Sequence, residues 1–131
     1  MPTPVLPDIE ALAIWWLTDA AVVTGGVHGE FPTSPTFPLA TLVRIGGPPV
    51  LPRWLDRATL QLDVWGDTKA EARDTAATAL ASLLDMTGLV NTGTVHGVVT
   101  DVDVAQGLRW FPDPTNEQPR YSCTVMVAAH P

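Results

Sequence analysis

The stretch ATLQLDVWGDTKAEARDTAATALASLL, Ala58–Leu84, reads as one strand, one sharp turn and one amphipathic helix. Leu60, Leu62 and Val64 alternate with Thr59, Gln61, Asp63 and Trp65, the period-2 pattern of a half-buried strand over Thr59–Trp65. Gly66-Asp67 breaks that pattern. Thr68 and Glu71 then form a Thr-x-x-Glu capping box, with the hydroxyl taking a free helix amide and the carboxylate reaching back to the cap's own N–H. Beyond it, Ala72, Ala76, Ala79, Leu80, Leu83 and Leu84 share one helical face, with Lys69, Arg73, Asp74 and Ser82 largely off it. A helix over about Thr68–Leu84, stopped near Gly88, follows.

Working outward, Asp8 is placed as the N-cap of a first helix of about Ile9–Leu17. Ile9, Leu12, Ala13 and Trp16 share a face, and Ile14 and Trp15 widen the apolar surface. A helix apolar almost all round has to be buried on several sides, and in so small a domain a neighbouring subunit is one candidate to cover part of that surface. Val22–Glu30 is a glycine-interrupted strand or hairpin, and Leu39–Ile45 a strand between proline-bearing loops. Thr94–Val104 alternates so that His96, Val98, Thr100, Val102 and Val104 face one way and Val99, Asp101 and Asp103 the other. Tyr121–Ala129 closes the series, with Tyr121, Cys123, Val125 and Val127 on one side. One helix lies between strands, so the expected class is α+β: a mostly antiparallel sheet, a central amphipathic helix on one face, and an N-terminal helix.

At 131 residues the chain is expected to form a single domain spanning 1–131, with proline-rich arms or loops near 32–53 and 110–119. Ile9–Leu17 is too short to span a bilayer, and no basic residue precedes it, so neither a membrane anchor nor a secretory signal is expected. The single Cys123 rules out an internal disulfide and suits a reducing cytoplasm. A formal charge of −7, with basic residues scattered singly, argues against tight nucleic-acid binding, which needs clustered Lys and Arg to displace counterions.

Signs of catalysis are few. His28, two residues from Glu30, lacks the paired ligand spacing of a metal site and reads as a turn histidine. His96 reads as a partly buried histidine with a hydrogen bond, His130 as solvated, and Cys123 as a buried, inert thiol. Asp101 and Asp103 are neighbours on one exposed strand face, unlike carboxylates opposed across a cleft. The glycine pairs lack the lysine and spacing of a phosphate loop, and no nucleophile elbow or His-Glu-x-x-His pair occurs. The reading is therefore no enzyme, no catalytic or metal residues and no cofactor. Five tryptophans in this length fit either core filling or subunit contact, because tryptophan is enriched at interface hot spots. Trp15, Trp54, Trp110 and Phe111 are the candidate interface residues.

Several segments in order resemble the tail-terminator proteins of long, non-contractile-tailed bacteriophages. They are the N-terminal helix, FPLATLVRIGG at Phe37–Gly47, LQLDVWGDTKAEARDTAATALASLL at Leu60–Leu84, GVVTDVDV at Gly97–Val104, and RWFPDP before the closing RYSCTVMVAAH. The resemblance implies a homo-oligomeric ring, commonly a hexamer, that caps the head-proximal end of the tail tube. It also implies a halt to tube polymerisation and a joining surface for the head. Implied partners are copies of the chain itself, the tail tube protein and a neck or head-completion protein. Genomic DNA would pass through the lumen without specific binding, and no membrane is involved. The protein would act in the virion tail after assembly in the host cytoplasm. Pro48–Trp54 and Trp110–Pro119 are candidate contact loops by position and composition. An acidic lumen would repel phosphate, and Asp63, Asp101 and Asp103 are the candidate lining residues. Two alternatives stand beside this: another neck, tail-completion or minor tail protein of the same virion, and a small cytoplasmic ligand-binding domain using His28 and Glu30.

Overall fold

The computed structural model describes residues 5–47 and 54–131. The chain runs α1 (Ile9–Asp19), β1 (Val27–His28), β2 (Leu39–Gly46), β3 (Asp56–Trp65), α2 (Lys69–Leu84), β4 (Gly88–Asn91), β5 (His96–Trp110) and β6 (Arg120–His130). The strands form one six-stranded sheet in the order β1-β2-β3-β6-β5-β4, antiparallel except for the short parallel β1–β2 pair. Both helices lie on one face of it, and the core fills the space between. The fold is α+β, as the periodicities predict. No helix among the described residues is long and apolar enough to cross a membrane.

The strand–turn–helix unit decides the packing. Ala58, Leu60, Leu62 and Val64 of β3 are fully buried toward the helices. In register beside them stand Val127, Val125, Cys123 and Tyr121 of β6, the first three of them buried as well. Each fully buried Leu or Val contributes about 1.5–3 kcal/mol relative to exposure. Gly66 makes the turn because a Cβ there would stand 2.6 Å from the Ala72 amide nitrogen. Thr68 caps α2 through its hydroxyl, which accepts from the Glu71 amide at 3.1 Å. The Glu71 carboxylate accepts instead from the Asp67 amide at 2.9 Å, one residue before the position a standard box would use. Ala72, Ala76 and Ala79 let the helix sit close to the sheet, and Leu83 fills the end of the layer. Leu80 is half-buried and Leu84 is 40% exposed, so the apolar stripe is narrower than its sequence spacing suggests.

Helix α1 begins at Asp8, whose carboxylate accepts from the Ala11 amide at 3.0 Å. Ile9, Leu12, Ala13 and Leu17 are buried, and Trp16 donates its indole N–H to the Ser82 carbonyl at 2.8 Å, joining the helices. Pro7 and Leu12 press on β5 at Gly97, where a Cβ would meet Pro7 at 2.8 Å. At the other margin Arg44 grips the buried Asp56 with both guanidinium nitrogens, at 2.6 and 2.9 Å. That grip holds the Arg44 guanidinium above its ordinary pKa, chiefly through the Asp56 hydrogen bond.

Strand β5 departs from the alternation expected of it. The register with β6 slips between Val99 and Asp101, leaving Thr100 as the extra residue, its hydroxyl donating to the Ala128 carbonyl at 3.2 Å. Val99 and Val102 therefore both turn into the core, while Val98, Asp101 and Asp103 face the other way. Val99 does not share a face with Asp101 and Asp103, Val104 is 43% exposed, and His96 is exposed rather than partly buried. The strand also runs on to Trp110. Within Val22–Glu30 only Val27–His28 pairs, and β4 has no counterpart among the sequence expectations.

Candidate assembly surfaces

Three surfaces hold the residues singled out above. The first is the face of the sheet opposite the helices. Asp101 pairs with Ala128, Asp103 with Met126 and Asp63 with Ser122, so the three candidate lining carboxylates all lie on this one face. Arg57, paired with Ala128 from the other side, stands with Asp101 and Asp103 around a shallow cleft. Donation from the protonated Asp103 carboxyl to Asp101, reinforced by the Asp101 charge, raises the Asp103 pKa from its ordinary value, and Arg57 opposes that rise. Arg109 and Arg120 occupy the same face by register, so three cations share it with three carboxylates. The face is mixed in charge, where the sequence reading found only its acidic members. Ser122 Oγ is buried there with no hydrogen-bond partner among the described residues.

The second surface is the end of the sheet where β5 turns into β6. Phe111–Pro119 is tied down at several points. Gly66 donates its amide to Pro119, Gln118 donates its side-chain amide to the Gly66 carbonyl at 2.7 Å, and Trp65 donates its indole N–H to Asp113 at 3.1 Å. Hydrogen bonds, first from the Thr115 amide and then from Trp65, hold the Asp113 carboxyl below its ordinary pKa. Trp65 is only 5% exposed although it lies opposite the apolar set of β3, because Phe31 packs edge-on to it at 5.1 Å and Arg120 stacks on it at 5.4 Å. Arg120 and Arg109 flank the Phe111 ring at 4.8 and 5.1 Å, and the Lys69 ammonium sits 4.7 Å over Trp110. Trp110 and Phe111 keep 41% and 44% exposure. The sequence pointed to the aromatic pair but not to its cations. Arg120 could have been found as the register partner of Trp65.

The third surface is an open apolar groove of about 410 Å³ between α1 and the β4–β5 turn. Half-buried Trp15 lies in it with Ile14, Thr18 and Val95. Trp54 stands at the same end of the sheet, 51% exposed and edge-on to His130 at 5.7 Å. The structure thus brings Trp110 and Phe111 together and places Trp15 and Trp54 apart from them. The other candidate loop, Pro48–Trp54, lies outside the described residues apart from Trp54.

The groups considered for chemistry occupy quiet positions. His28 donates from Nε2 to the Gly25 carbonyl at 3.0 Å, the turn contact expected of it. His130 is half-buried. Cys123 is 1% exposed, and burial, with a smaller push from Asp63, drives its thiol up to about 11. None of the curated proteins compared matches the chain. A protein-family model does match, over residues 10–105, from α1 into β5, and its description is tail completion protein gp17. That span covers most of the chain and every element of the core except β6, so the protein belongs to this family of phage tail completion proteins.

Proposed function

We propose that the protein is a structural component of the phage virion that assembles with copies of itself into a ring at the head-proximal end of the tail tube. The ring ends tube growth and presents the surface on which the head is joined. The observation that carries this reading is the family match from α1 into β5. It is supported by the exposed aromatic residues at both ends of the sheet, since solvent-facing Trp and Phe of this kind anchor protein–protein contacts. Trp15, Trp54, Trp110 and Phe111 are the contact residues in this reading, and the work is done by shape and contact rather than by catalysis. Six copies make the ring, the tail tube protein binds one side, and a neck or head-completion protein binds the other. Asp63, Asp101 and Asp103 face the passage, with Arg57 tempering their charge, so that DNA slides by without being held.

The family description also favours a second reading, in which the protein completes the tail as an adaptor without halting the tube. The two part in a polymerisation assay with purified tail tube protein. A terminator added at the start shortens the tubes in proportion to its amount and leaves them unable to extend. An adaptor leaves tube length unchanged.

A further inference from the structure

We infer that the groove beside Trp15 is the receptor for the Trp110–Phe111 end of a neighbouring copy, giving a head-to-tail contact; the inference rests on the ring reading and names the two surfaces that build it. The groove is lined by Ile14, Trp15, Thr18, Thr92, Thr94 and Val95, and is large enough for an aromatic side chain. Both chain stretches that form it lack Lys and Arg entirely, residues 1–43 and 74–108. Its surroundings are anionic: Asp8 lies in the adjoining furrow with Thr94 and His96, and exposed Asp19 follows Thr18.

The opposite end of the molecule has the complementary character. Trp110 and Phe111 are exposed aromatic rings carrying Lys69, Arg109 and Arg120 against them. Two carboxylates of this end already have partners: Asp113 accepts from Trp65 and Thr115, and Glu71 from Asp67. An aromatic tip collared by cations therefore matches an apolar slot rimmed by carboxylates. The two lie at opposite ends of β5, whose pairing with Tyr121–His130 of β6 separates them by roughly 30 Å at strand rise. An antiparallel two-fold pair would also satisfy both surfaces, and it is the ring reading that selects the head-to-tail arrangement, in which each copy's tip enters the next copy's groove. The two surfaces then join copies heterologously, and such contacts close into rings when the rotation between neighbours permits.

Cysteine cross-linking tests this directly, because the native Cys123 is buried. Thr94→Cys marks the groove and Pro112→Cys the tip. With a short bifunctional maleimide, the two single variants cross-link only when mixed, and the double variant gives a ladder that ends at the ring's subunit number. Phe111→Ala lowers the assembled fraction at least tenfold at fixed concentration with an unchanged unfolding midpoint. Rings that form without Thr94–Pro112 cross-links, with Thr94→Cys linking to itself, or with the groove linking to tail tube protein, overturn the inference and leave the ring reading standing. A chain that stays monomeric at all concentrations overturns both.

Discussion

Trp65 and Asp113 are 48 residues apart in sequence and joined by a hydrogen bond of 3.1 Å, indole N–H to carboxylate. The bond crosses from the end of β3 to the middle of the β5–β6 loop. It makes a proline-rich excursion part of the folded body and so presents Trp110 and Phe111 on a fixed base.

Trp65→Phe keeps an aromatic, if smaller, side chain and removes the donor. Loss of this bond is expected to cost about 1–2 kcal/mol in chemical denaturation and to speed proteolysis within Phe111–Pro119. Asp113 also gives the loop a pH dependence. Its native pKa is depressed, so its contribution is full at neutral pH. That contribution starts to decline as pH falls toward the ordinary carboxylate value of about 4 and is lost below the depressed native value. Asp113→Asn should abolish that part of the pH profile, read as loop proteolysis or stability between neutral and acid pH.

Leu83 is fully buried under the sheet, whereas Leu80 is half-buried. Leu83→Ala should therefore cost about 2–5 kcal/mol and Leu80→Ala distinctly less. Urea denaturation of both variants checks the order; equal losses would contradict the packing described for α2.

Arg44 satisfies a carboxylate that is 3% exposed, while its own side chain is 36% exposed. Arg44→Met should cost about 2–3 kcal/mol, toward the low side for a broken buried pair, because it strands Asp56. Adding Asp56→Asn should recover part of that loss, and a double-mutant cycle measures how much.

Cys123 should resist thiol reagents in the native protein, its thiol being both covered and pushed up to about 11. Labelling at pH 8 is expected to follow global unfolding, accelerating only with denaturant. Rapid labelling in buffer would show that the β3–β6 core opens locally.

The parts of this fold legible in the sequence are those whose signals are local. Strand β3, helix α2 and helix α1 carry long periodic runs and side-chain caps, and each formed where periodicity puts it. Strand β5 departs from simple alternation because its register against β6 slips at Thr100 and again between Val104 and Gln106 and between Gln106 and Arg109, and alternation has no mark for such insertions. Strands β1 and β4, of two and four residues, are too short to carry a period. At the candidate surfaces, strand parity set Asp101 and Asp103 on one face, and the structure adds Asp63 to it. The neutralising Arg57 and the stacked Arg120 arrive from neighbouring strands through register, which one strand's sequence does not encode. The groove at Trp15 depends on the β4–β5 turn meeting α1, a tertiary juxtaposition with no local signature.

In the proposed function this chain acts by closing a ring on the end of a tube. Electron microscopy of purified tail tubes incubated with the protein tests it most directly. Rings of uniform size seated at one end of each tube, and at that end only, are expected. Tubes bare at both ends, with the protein beside them as single copies, would contradict it.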